Sequence, residues 1–183
     1  MSLPVFWLDI VILFLLIVGL GVGFMQGLVR QAIGLIALYL GAILGAQYYT
    51  VVAGWVRLLF PGPSSRALNA FGFFVILIAV VSLLNWLAND AYHIGRLRLF
   101  PIVNQLGGSL LGLVTTVIII SLCVPILVFA TGEPWPWGET ARYNLVTGIT
   151  SSRLLFIFQF FTPALLGTLS PWLPNGLPSI FNL

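Results

Sequence analysis

The chain has 183 residues, of which 60% are apolar and 6% charged, against roughly 25% charged in an ordinary soluble domain. With a mean hydropathy of +1.13, it carries more apolar surface than a soluble fold of this size can hide, which excludes a water-soluble globular enzyme. Abundant aliphatic and aromatic residues exclude disorder. All the basic residues are arginine, and they are dispersed, so the net charge of +3 forms no patch for nucleic acid.

The uncharged intervals act as a ruler. Asp9 to Arg30 encloses 20 residues, Arg30 to Arg57 26, Arg66 to Asp90 23, and Arg98 to Glu133 34. At 1.5 Å of helix rise per residue, about 20 apolar residues cross a ~30 Å hydrocarbon core. Spanning helices are therefore expected near 10–24, 32–49, 71–87 and 106–129. The run from Ile10 to Ile17 does not alternate apolar with polar residues, which excludes the strands of a membrane barrel. The first segment lacks a positive leader and is not read as a cleaved signal peptide. Gly27 marks the break of a tight hairpin between the first two helices. Pro61-Gly62-Pro63-Ser64-Ser65 forms the second connection, and Gly95–Pro101, with Arg96 and Arg98, the third. Trp7, Tyr48, Tyr49, Trp55, Trp86, Tyr92, Trp135 and Trp137 lie near span ends, where the headgroup layer favours their rings.

After Thr131 the composition shifts to an aromatic, Pro-rich turn, Gly132–Gly138. Leu154–Leu169 is apolar but short, and Gln159 and Pro163 interrupt it. It is expected to lie along the membrane as an interfacial helix, the alternative being a fifth span. The expected architecture is an all-α integral membrane protein. A four-helix transmembrane bundle occupies residues 1–130, and a turn with an apolar interfacial tail occupies 131–183.

Gly19, Gly23 and Gly27 recur every four residues, as do Gly41 with Gly45 and Gly108 with Gly112. Residues four apart share a helix face, and small residues there let backbones approach in lipid. These positions are expected to pack helices, within one chain or in a homo-oligomer. Ser82, Asn85, Asn89 and His93 form a polar stripe toward the end of the third helix, with Asp90 beside it. One reading is a water-filled path with His93 or Asp90 exchanging protons. The other is hydrogen bonding to neighbouring helices near the headgroups. Arg30, at the hairpin tip beside Gln26 and Gln31, suits a lipid phosphate or an acidic partner, or serves to snorkel and orient the span.

No catalytic residue or cofactor site is expected. There is no G-x-S-x-G elbow, and without lysine there is no P-loop. Cys123 has no nearby base. Asp90 and His93 are two candidate ligands without a third, so no metal is expected.

The hairpin Gly23-Phe24-Met25-Gln26-Gly27-Leu28-Val29-Arg30-Gln31 follows an early Asp9. Later comes Asn104-Gln105-Leu106-Gly107-Gly108-Ser109-Leu110-Leu111-Gly112. Together these segments resemble the colicin V production protein family of bacterial inner-membrane proteins. That family typically shows an early Asp, an Arg-Gly-Phe-x-Arg-Glu-type hairpin and an Asn/Asp-Arg-x-x-Gly-x-x-x-Gly start to the fourth helix. Gln26, Gln31 and Gln105 stand where the family pattern carries arginine, glutamate and arginine. Each removes a charge, so an ion pair between hairpin and fourth helix is absent here unless Arg30 finds another acid.

The resemblance implies an inner-membrane accessory protein for toxin production or secretion and envelope maintenance, acting through protein partners in the membrane or envelope. The alternative is a small oligomeric channel or carrier along Ser82, Asn85, Asn89 and His93, and an intramembrane enzyme is the weakest reading. Arg30, Arg96 and Arg98 fall on the first and third connections, against Arg57 and Arg66 on the second. Arg142 and Arg153 add to the tail, where Arg153 lies beyond the reach of the positive-inside rule. Some relatives carry an extracytoplasmic protease after the fourth span. Both termini and the Trp135–Trp137 turn are therefore expected to face away from the cytoplasm.

Overall fold

The computed structural model describes residues 7–60, 62–92, 101–136, 138–173 and 176–181, with the backbone alone at 89–92, 101 and 159. Six α-helices follow in order: α1 Trp7–Gln26, α2 Leu28–Leu59, α3 Ser65–Tyr92, α4 Pro101–Thr131, α5 Glu139–Ser151 and α6 Arg153–Leu169. Two 3-10 turns, Ser170–Trp172 and Ser179–Phe181, close the described chain. No strand occurs among the described residues. Four helices, α1 to α4, are long and apolar enough to cross a membrane.

The helices run further than the charge-free intervals indicated. α2 continues ten residues past Tyr49, and α3 begins six before Phe71, because Arg57 and Arg66 sit at helix ends where their long side chains reach water. Phe60 is extended, at φ −135° and ψ 86°, as the residue before a proline must be. Ser64 restarts the chain by accepting the Ala67 N–H at 3.2 Å. Pro101 opens α4 at the first helical position, where its missing N–H costs nothing.

α5 was not expected. Its sequence, rich in Thr, Ser and Gly, has weak helix propensity. Glu139 in its first turn favours the helix dipole, and Gly148 lets the helix rest against the Trp7 indole. Trp7 and Trp135 both pack within the protein: beside the Trp7 contact, the Trp135 Nε1–H donates to the Ala130 carbonyl at 2.9 Å and its ring packs on the core.

The main core joins α2, α3 and α4 through Leu38, Ala42, Ala46, Phe73, Leu122 and Ile126. Leu166, Leu169, Ile180 and Phe181 complete it, so residues beyond 131 share one interior with the spans. The Phe73 and Phe181 rings meet edge to face at 5.7 Å. A second cluster ties Ile12 of α1 to Ile120 of α4 and to Leu155 and Phe158 of α6.

α6 lies across the bundle rather than along it. It starts at Asp9 of α1, meets Ser121 of α4 through Thr162, and meets Tyr39 of α2 through Thr168. These three points stand at nearly one height. Gly19 opposes Gly112 and Thr116, which puts Asp9 near Val124, and Leu28 touches Gly107, which puts Tyr39 near Ile118. The heights differ by only about six residues, roughly 9 Å of rise, while α6 is about 26 Å long.

Candidate functional site

The two segments that carry the family resemblance meet in space. Gly27 breaks the chain between α1 and α2 with φ +77°, a left-handed conformation that favours glycine. The break leaves the Leu28 N–H without a helical acceptor. Asn104, 76 positions later in the first turns of α4, supplies one: its Oδ1 accepts that N–H at 2.9 Å. A Cβ at Gly27 would collide with the same Asn104 amide. Arg30, Gln26 and Gln105 are exposed at this end of the bundle, whereas Gln31 is buried at 8% exposure. A neutral amide at Gln31 avoids the cost of burying a charge there.

From this junction the glycine faces run inward. Gly19 and Gly23 of α1 lie against Gly108, Gly112 and Thr116 of α4. A Cβ at Gly23 would meet the Gly108 carbonyl oxygen inside contact distance and sit 2.9 Å from the Gly112 Cα. Thr116 turns its hydroxyl back onto the Gly112 carbonyl at 2.9 Å, so the seam carries no unpaired hydroxyl. Gly41 and Gly45 of α2 instead face Leu77, Val81 and Phe73 of α3. Gly72, absent from the sequence reading because it belongs to no four-residue repeat, presses on the Tyr49 carbonyl from the other side of that contact.

The opposite end of α1 carries a second clasp that the sequence did not reveal. The Asp9 carboxylate accepts from the Ser152 hydroxyl and from the backbone N–H groups of Leu154, at 3.2 Å, and Arg153, at 3.3 Å. Ser152 is itself the N-cap of α6, and its Oγ accepts the Leu155 N–H. A carboxylate at a helix N-terminus is favoured by the orphan donors and by the dipole. Asp9 therefore pins α6 to α1 across 145 positions of sequence. Spacing between Asp9 and Ser152 gave no signal, since the contact is tertiary.

Past the end of α4, Arg66 of α3 pairs with Glu133 at 3.4 Å and stacks over the Phe129 ring at 5.5 Å. Arg142 grips Glu139 and donates to the Thr131 carbonyl at 3.0 Å. The Arg142 guanidinium, with the Trp135 N–H, holds the Glu139 carboxyl below its ordinary value.

Of the polar stripe, Ser82 is exposed on α3, and Asn85 is half-buried with its amide donating to the Val81 carbonyl at 2.8 Å. His93, Arg96 and Arg98 lie outside the described residues, as do the side chains of Asn89 and Asp90. Cys123 is half-buried within α4. Among the described residues no three His, Cys, Asp or Glu side chains gather as metal ligands would.

Four spanning helices closed by glycine seams define a multi-pass α-helical membrane protein. The chain matches the family model of the colicin V production protein over residues 8–163, most of its length, and it belongs to that family. The match takes in Asp9, the Gly27 hairpin, the α4 glycines and the start of α6 together. No curated protein and no solved structure gives a significant match. The family is not a known enzyme family.

Proposed function

We propose that the protein is a non-catalytic accessory of the bacterial inner membrane, serving toxin production or secretion and envelope maintenance through contacts with membrane or envelope partners. Both termini and the aromatic turn face away from the cytoplasm. Family membership supports the biological setting. The observation that favours an accessory over a carrier is the place of Ser82. It sits on the outer surface of α3, whereas Asn85 is half-buried toward Gly34 of α2 and spends its donor on its own helix, so the described part of the stripe is split between the outside of the chain and the α2–α3 contact and lines no single path. Arg30, exposed beside Gln26, is the candidate contact for a lipid phosphate or an acidic partner.

A homo-oligomeric channel is the second reading, because copies meeting along the outer face of α3 would bring Ser82 inside, one helical turn from Asn85. Reconstitution separates the two. The accessory reading expects liposomes without specific ion or solute flux, and affinity purification from native membranes that returns a stoichiometric partner weakened by Arg30→Ala. Saturable flux that falls on Asn85→Leu overturns it in favour of the channel.

A further inference from the structure

We infer that the crevice between α2, α4 and α6 is a binding site for the acyl chains of a phospholipid, drawn from the leaflet on the side of the α1–α2 turn. The crevice has a volume of about 830 Å³, within the range of pockets that hold a ligand. Its walls are Leu35 and Tyr39 of α2 and Leu113 and Val117 of α4, and α6 closes one end with Phe161 and Ala164.

Depth selects the occupant. α2 and α4 are both spanning candidates, and the crevice lies within them. Leu28 at the head of α2 stands about 16 Å along the helix from Tyr39 under α6, close to the ~15 Å that one leaflet contributes to the hydrocarbon core. An acyl chain entering from that leaflet ends where α6 blocks the groove. A spanning helix of another copy needs a groove running the full height of the bundle, and α6 lies across this one.

Wall chemistry points the same way. The Tyr39 hydroxyl donates to the Thr168 carbonyl at 2.6 Å, and the Thr168 hydroxyl to the Leu165 carbonyl at 2.7 Å. The Tyr39 and Thr168 hydroxyls are thus paired within the protein, and the Ser121 hydroxyl, buried on the wall without a partner, offers a water one group where a buried water needs two to four. Apolar cavities of this kind stay dry and take up apolar molecules. Left empty, the wall would forfeit its dispersion contacts, and at this depth lipid tails are the apolar matter at hand. Ile36 and Leu40 on the rim are exposed, so the groove is open sideways for a tail to enter.

Native mass spectrometry of the full chain, released from membranes in mild detergent, tests the site. Wild type should retain phospholipid. Ala164→Trp and Val117→Trp, which fill the groove, should lower the bound fraction by roughly tenfold, while Leu13→Trp on the outward face of α1 should retain it. Circular dichroism checks that each variant stays helical, and Val117→Phe replaces a variant that does not. Equal lipid retention in the filled variants overturns the site. So does a wild type that leaves the membrane lipid-free, or a dimer without bound lipid that Ala164→Trp dissociates.

Discussion

Pro125 shows how one residue recruits a distant one. Proline has no N–H to give the carbonyl four residues earlier, so within α4 the Ser121 carbonyl loses its helical donor. In lipid that oxygen has no water to turn to. Thr162 of α6, 3% exposed, reaches it at 3.5 Å while donating to its own Phe158 carbonyl at 3.0 Å. The longer contact is weak by geometry, yet it joins α6 to α4 at the place inside α4 where Pro125 leaves a carbonyl without its helical donor. Thr162→Val keeps the shape and removes the donor, and should cost about 1 kcal/mol in detergent unfolding, with Thr162→Ser close to wild type. At the other end of α6, Asp9→Ala should cost about 1–2 kcal/mol by uncapping the helix and should expose Leu154→Cys to a soluble thiol reagent. Unchanged labelling would show that α6 docks without the clasp. The exposed Glu139–Arg142 pair gives a pH signature. Arg142 depresses the Glu139 carboxyl, so its contribution is complete above the ordinary value near 4.3 and disappears as pH falls through the lowered value. Protection of the Trp135 amide, which donates to Glu139 at 3.1 Å, should follow that fall and lose it in Glu139→Gln.

Helix pairing is decided by which glycines a neighbour touches. Gly19, Gly21 and Gly23 look alike in composition, but a Cβ at Gly21 meets nothing within 4 Å, whereas one at Gly23 meets α4 backbone. Gly23→Leu should cost about 3 kcal/mol or more by forcing the seam apart. Gly21→Leu and Leu20→Ala, both on the outward side, should stay within about 0.5 kcal/mol. Similar unfolding midpoints for Gly23→Leu and Gly21→Leu would refute the seam. The four-residue period made this face legible, because it follows from helix geometry alone. The spans were legible because hydrocarbon thickness sets their length. Gly72 and Gly148 were not, since neither has another glycine four residues away to form a repeat. α5 and the Asp9–Ser152 clasp were hidden for a related reason: their stability comes from what they touch, not from local pattern. The polar stripe was legible as a period, but period alone does not say which way a face points, and Ser82 points outward.

At the scale of the whole molecule, α6 decides how many times the chain crosses. A fifth span would carry the residues after α6 to the opposite side. Instead α6 crosses α1, α4 and α2 at similar heights, and the following residues turn back: Gln47 donates to the Trp172 carbonyl at 2.9 Å, and Phe181 packs on Phe73. Phe73 lies in the first third of α3, and Ala130 at the end of α4 belongs to the same core, so Phe181 returns to the end of the bundle where α4 finishes. Its outward residues, Phe156, Ile157, Phe160 and Phe161, are apolar and exposed, which suits a strap lying against the bundle in contact with lipid rather than one with a water-facing side. Reporter fusions after Gly138 and after Leu183 should therefore lie on the same side of the membrane, whichever side that is. The charge count leaves the side nearly balanced, since Arg57, Arg66, Arg142 and Arg153 gather at the end where α4 finishes and Arg30, Arg96 and Arg98 belong to the other connections. The proposed orientation expects both fusions to show alkaline phosphatase activity and neither to fluoresce as a cytoplasmic green protein. Two fluorescent fusions reverse the orientation and leave the strap intact. An active fusion at one position with an inactive one at the other makes α6 a span and overturns the strap.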